Sequence, residues 1–182
     1  MFKISLFENA VDELKAAHMY IESFLDWRRD SEVPWIDLLF AFKQMVKHLC
    51  SGWELLMKYR LNRIDPMLVF TKPDEITEEK LKSGEFHTIG YTKAVALLQA
   101  EDIKCSFKNL EQLHKYRNKI EHYEIDVPFQ SLIRTSLAAI DELIQFVACY
   151  VTPIIEQRGI MYEAGDVLIQ LWSAKKKLES IL

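Results

Sequence analysis

Apolar residues recur at intervals of three and four along most of the chain, the spacing with which an α-helix lays one stripe against a core. The first run is Phe7, Val11, Leu14, His18, Ile21 and Leu25, and Asp12, Glu13, Lys15, Glu22 and Asp26 fall largely off it. Breakers are few, with 5 Gly and 5 Pro in 182 residues. An all-β domain needs turn residues about every 8–12 positions, so that class is excluded. With 49% hydrophobic and 27% charged residues, the chain also falls outside the disordered and collagen-like classes. At this length roughly 70% of the unfolded surface is buried on folding, enough for a core without disulfides or metals.

The punctuation divides the pattern into helices. Pro34 suits a first helical turn, and behind it Leu38, Leu39, Phe42, Met45, Val46, Leu49, Trp53, Leu56 and Met57 predict a long helix ending near Asn62, before Asp65-Pro66. Residues 65–90 read as a partly irregular excursion, with Met67-Leu68-Val69-Phe70 as a short extended segment and Thr77 to Lys82 as one or two helical turns. Helix resumes over Tyr91 to Ala100 and again over about Ser106 to Glu121, where Phe107, Leu110, Leu113, Tyr116 and Ile120 share a side. Pro128 opens a further helix that Pro153 should kink or end, Gly159 suits a C-terminal cap, and a last amphipathic helix runs from about Asp166 to Ile181. The expectation is one all-α domain over 1–182, a helical bundle with an up-and-down core.

Cys50, Cys105 and Cys149 are far apart, and no CxxC pair suggests a disulfide framework or a zinc ribbon. The N-terminus has no signal-peptide core. The most apolar stretch, Leu137 to Ile155, is interrupted by Asp141, Glu142 and Gln145, which argues against a membrane span. A cytoplasmic protein without a membrane partner is expected. Among the tryptophans Trp27, Trp35, Trp53 and Trp172, helical spacing favours core packing over an interface. Lys175-Lys176-Lys177 reads as a solvated helix face.

The stretch that carries chemistry is Leu113 to Tyr123. The net charge of the chain is −4, yet the window from Lys104 to Lys119 holds five basic residues against Glu111 alone, a local +4. Lys115 and Lys119 in this window are candidate phosphate or RNA contacts. At about 100° per residue, Asn118 and His122 share a face, as do Arg117 and Glu121, while Arg117 and His122 stand about 140° apart. Arg117 and His122 therefore converge only if the helix unwinds near Tyr123 or if a second copy supplies the missing partner across a two-fold axis. His114 and His122 share a face but lie about 12 Å apart along a helix, too far to hold one ion. No metal and no cofactor is expected.

Arg117-Asn118-Lys119-Ile120-Glu121-His122 resembles the Arg-Asn/Asp-x-x-x-His signature of the HEPN superfamily, all-helical domains that include many metal-independent ribonucleases of toxin–antitoxin and antiphage systems. Asn9-Ala10-Val11-Asp12, Glu54-Leu55-Leu56-Met57-Lys58 and Thr88-Ile89-Gly90-Tyr91 extend the likeness over about residues 9–125. The resemblance implies a homodimer whose Arg and His residues face a shared cleft, with RNA as substrate. His122 is then the proton shuttle, Arg117 the group that stabilises charge on the phosphate, and Asn118 an orienting or phosphate-binding side chain. Glu54 and Lys58 resemble a Glu-x-x-x-Lys pair of these domains and form a supporting shell. An antitoxin or a nucleotidyltransferase is the implied regulatory partner. Some relatives carry a modified tyrosine two residues after the histidine; here Glu124 stands in that place and Tyr123 beside the histidine, which argues against that route. The rival expectation is a non-catalytic scaffold of the same fold that binds a partner protein, RNA or nucleotide.

Overall fold

The structure, a computed structural model, describes residues 5–122, 128–155 and 161–181, without the side chains of 122 and 161–164. The helices are α1 (Leu6–Arg29), α2 (Trp35–Ile64), α3 (Glu78–Ser83), α4 (Tyr91–Ala100), α5 (Lys108–His122), α6 (Phe129–Phe146), α7 (Thr152–Ile155) and α8 (Met161–Glu179). They pack as an all-α bundle, and no strand occurs among the described residues.

The long helices α1 and α2 form an antiparallel pair. Phe7 meets Tyr59 at 5.2 Å between ring centroids, Glu13 meets His48 at 2.8 Å, and Phe24 meets Phe42 at 5.9 Å. Gly52 is where they come closest. A Cβ there would stand 2.8 Å from Leu14 Cγ and 3.3 Å from the Ala10 carbonyl oxygen. Trp53, on the adjoining face of α2, is fully buried against Phe107 and Phe146, and its indole N–H donates to the Ala139 carbonyl at 3.3 Å. One buried aromatic thus joins α2, the segment leading into α5, and α6.

The excursion over 65–90 differs from expectation in one element. Met67 to Val69 is not extended: Pro66–Val69 is a 3₁₀ turn, because the Asp65 side chain accepts from the Met67 N–H at 2.9 Å and Pro66 fixes the first φ; only Phe70 has the expected extended backbone. Extended pairing is confined to an isolated antiparallel bridge between Phe70 and Thr88, flanked by Ile89 N–H to Val69 O at 3.0 Å and Thr71 N–H to His87 O at 2.9 Å. A second 3₁₀ turn, Pro73–Glu75, precedes α3.

Pro153 lies inside helix that runs on to Ile155, the last described residue of this segment. α6 continues through a π turn, Val147–Val151, into α7, and the Thr152 N–H bonds to the Val147 carbonyl five residues back. The wider turn makes room for a residue that has no N–H to give. Over Phe129–Ile155 the helix is long and apolar enough to cross a membrane by length and composition, with a mean hydropathy of 1.5. Its inward residues, among them Leu132, Ile140, Leu143 and Phe146, belong to the bundle core.

α8 begins at Met161, earlier than expected, and lies against α1, with Lys177 to Glu22 at 2.8 Å. Gly159 lies outside the described residues. Lys175 is not a solvated residue: it is buried and holds Asp141 of α6 at 2.9 Å and Glu179 at 2.6 Å. Trp35 and Trp172 are not core residues, being 58% and 52% exposed. Trp35 sits at the very start of α2, against the edge of Phe129, and Trp172 lies on the outer face of α8 beneath Lys176.

Candidate functional site

α5 is anchored by a carboxylate that it does not itself carry. Buried Glu142 of α6 accepts from the Asn109 and Leu110 backbone N–H groups, both at 3.1 Å, from the Asn109 side chain at 3.0 Å and from the Ser106 hydroxyl at 2.5 Å. These are the orphan donors of a helix N-terminus, and a negative charge there also meets the positive end of the helix dipole. From that fixed start the inward stripe of α5 reads Phe107, Leu110, His114, Arg117 and Glu121, spaced three, four, three and four. The first two are buried in the core. The same stripe then turns polar, and this is where the chemistry lies.

The facing stripe of α2 turns polar too: Lys43, Lys47, Cys50, Glu54 and Lys58 follow at four, three, four and four. Between the helices, and closed at one end by the N-terminus of α4, is an open basin of about 350 Å³. Glu54 lines it from α2, Gly90, Tyr91 and Thr92 from α4, and Glu111, His114, Lys115, Arg117 and Asn118 from α5. Gly90 is the N-cap of α4 and brings no side-chain cap to its first N–H groups.

The side chains expected from sequence are placed as follows. Arg117 is 28% exposed and its Nε donates to Glu121 Oε1 at 3.3 Å. Asn118 is exposed on the rim. Lys115 lines the basin and pairs with Glu111 at 2.8 Å. Lys119 is exposed and does not line it. Glu54 and Lys58 meet at 2.7 Å; buried Lys58 also donates to the Thr88 hydroxyl at 3.0 Å, which ties the segment leading into α4 to the pair. His122 closes α5, and its side chain lies outside the described residues. The backbone stays helical through His122, so along the described helix the separation of about 140° from Arg117 holds. Tyr123 and Glu124 lie outside the described residues.

Sequence reasoning missed His114 as part of the site. It is buried, its ring stacks on Tyr91 with centroids 4.0 Å apart, and its Nε2 has no hydrogen-bond partner among the described residues. Burial first, and then the neighbouring Arg117 charge, lower its pKa to about 4, so it is a neutral imidazole near pH 7. The visible signal was its place between Leu110 and Arg117 on one stripe. Cys50 lies beneath the same polar group, and burial pushes its thiol up to about 12, which removes it as a nucleophile. Burial likewise raises the Tyr91 hydroxyl, helped by the Glu111 and Glu142 carboxylates. No group of three His, Cys, Asp or Glu side chains able to hold a metal ion occurs among the described residues.

Both acids at the basin are matched by lysines, Glu54 by Lys58 and Glu111 by Lys115. That leaves the Arg117 guanidinium, of which only Nε is engaged among the described residues, together with the uncapped start of α4 and the amide of Asn118. Such a set suits an anionic group better than a cation or an apolar ligand.

Fold and site together define a helical protein with a polar, arginine-centred basin between its second, fourth and fifth helices. The chain belongs to a family described as a domain of unknown function (DUF3644), whose model matches residues 37–150, from α2 through the π turn. All the basin residues lie inside that match. No curated protein and no solved structure matches the chain.

Proposed function

We propose that this protein is a metal-independent endoribonuclease of the HEPN type, acting as a homodimer in the cytoplasm as a toxin or antiphage factor. The observation that carries the reading is the placement of Arg117 and Asn118 at an open, anion-suited basin on the helix that His122 closes. The resemblance of Arg117-Asn118-x-x-x-His122 to the HEPN signature supplies the reaction class.

In that reaction His122 accepts the proton of a ribose 2′-OH. The 2′-oxygen forms a bond to the adjacent phosphorus and the P–O5′ bond breaks. A proton passes to the departing 5′-oxygen, leaving a 2′,3′-cyclic phosphate and a 5′-OH. Arg117 stabilises the charge that grows on the phosphoryl oxygens, and Asn118 orients the imidazole or a phosphate oxygen. Glu54 and Lys58 hold the basin wall, with Lys58 fixing Thr88 two residues ahead of the α4 N-cap. Lys115 and Lys119 add weaker phosphate attraction at the rim.

The test is RNA cleavage by the purified protein in excess EDTA, wild type beside His122→Ala, with end-group analysis. Cleavage by wild type alone, leaving cyclic phosphate and 5′-OH ends, is the expected result; a loss of 10²-fold or more in the variant fits removal of a general base. Activity retained in His122→Ala would remove the mechanism. Failure of the wild type to cleave a broad RNA panel would favour the non-catalytic scaffold.

A further inference from the structure

A second hollow opens on the other side of Arg117. It measures about 190 Å³ and is lined by Lys43, Gln44 and Lys47 of α2 and by Arg117, Ile120 and Glu121 of α5. Arg117 therefore stands between two depressions, its guanidinium shared by both.

From this hollow a single face of α2 runs outward toward its start. Ile36, Phe40, Lys43 and Lys47 are spaced four, three and four, which puts them within about 40° of one line along roughly 16 Å of helix. Ile36 and Phe40 are 65% and 50% exposed. Phe40 meets the edge of Tyr20 at 6.2 Å between centroids.

Most lysines of the chain are paired with an acid. Lys58, Lys72, Lys80, Lys82, Lys104, Lys115, Lys175, Lys176 and Lys177 each hold a carboxylate. Lys43 and Lys47 hold none among the described residues, as is also true of Lys93, Lys108 and Lys119, but only Lys43 and Lys47 line a hollow with Arg117. The acid in the hollow, Glu121, is engaged by Arg117. Two cations without a carboxylate partner among the described residues, beside an arginine on a chain of net charge −4 and followed by an exposed aromatic ring, make a surface for alternating phosphates and bases.

We infer that the α2 face from Lys47 to Ile36 is a track for single-stranded RNA leading to Arg117, with Lys43 and Lys47 on backbone phosphates and Phe40 stacked on a base. The inference takes its direction from the ribonuclease reading of Arg117, but it concerns binding and does not require cleavage. Stacking on an aromatic ring and a line of cations are the two means by which proteins hold single strands without reading sequence. Base stacking also gives an exposed phenylalanine a partner that a bare phosphate-binding patch would not use.

The test uses the His122→Ala protein, in EDTA, with a fluorescein-labelled single-stranded RNA oligonucleotide and anisotropy read over a range of salt concentrations. Removing both charges in Lys43→Gln/Lys47→Gln should lower the salt slope by about 1.4, two phosphates at 0.7 each. Phe40→Ala should weaken binding about tenfold, and Phe40→Tyr should restore it. An unchanged slope in the lysine variant, or no binding by the parent protein, overturns the track. So does a Phe40→Ala protein that sediments as a smaller species yet binds RNA as before, since the face would then belong to a second copy of the chain. Track effects in binding, with no cleavage by wild type, would keep the track and sink the ribonuclease.

Discussion

At the scale of single residues, His114 has the most sharply defined environment in the site. Its ring is buried against Tyr91 with Nε2 unpartnered among the described residues, and its pKa is lowered from 6.5 to about 4. In the unfolded chain the imidazole takes up a proton as pH falls through about 6.5, whereas in the fold it does so only near 4. Between those values the unfolded state holds more protons, so stability declines as pH falls. Burial of the neutral ring therefore favours the fold fully above about 6.5 and progressively less below it. His114→Phe keeps a ring to stack on Tyr91 and removes the titration. Between pH 7 and pH 4.5, urea unfolding should show wild type losing more stability than His114→Phe, by on the order of 2 kcal/mol. Equal losses would mean that the folded ring titrates like a free one. The consequence for function is that the positive charge at the basin floor comes from Arg117, while His114 supplies a neutral nitrogen beside it.

At the scale of elements, the position of Arg117 depends on where α5 starts, and that is set by α6. Glu142 is buried and serves two backbone N–H groups, one amide and one hydroxyl. Glu142→Ala leaves those donors buried without an acceptor, and hydrogen bonds to a charged group are worth about 1.5–3 kcal/mol each in net terms. A loss of roughly 3 kcal/mol in urea unfolding is expected, with Glu142→Gln losing less because its amide oxygen can still accept. A variant as stable as wild type would show that α5 caps itself by other means. The sequence offered a signal here, in acids that interrupt the apolar run of α6. Periodicity reports which face of a helix is inward but not which neighbour it meets, so a carboxylate of α6 capping α5 was not legible. The same blindness explains His114. The residues on one side of α5 were read from apolar spacing alone, and that stops where the stripe turns polar. By contrast the helices themselves, the α3 turn and the start of α4 were legible, because Pro34, Asp65-Pro66, Thr77 and Gly90 stand at their boundaries. Pro153 marked an irregularity in the helix, and a π turn stands just upstream of it.

At the scale of the whole molecule, the fold fixes an angle between Arg117 and His122 that bears on how the proposed site is assembled. α5 is helical from Lys108 to His122, so Arg117 and His122 leave the helix about 140° apart. In the proposed dimer, a phosphate held by Arg117 over the basin would be served by the histidine of the partner's α5, the element of the same chemistry. This arrangement has a consequence that no single-site variant reveals. Arg117→Ala and His122→Ala should each be inactive alone. Mixed and re-equilibrated through mild denaturation, half of the dimers become heterodimers. In each of these, one pocket combines both defects, while the other joins the intact arginine of one copy to the intact histidine of the other. Cleavage should return to about one quarter of the wild-type rate, one working pocket in two for half of the dimers. Persistent inactivity of the mixture, with heterodimers verified by tagged pull-down, would rule out a pocket built from one arginine and one histidine of opposite copies, because that geometry requires the intact pair to work.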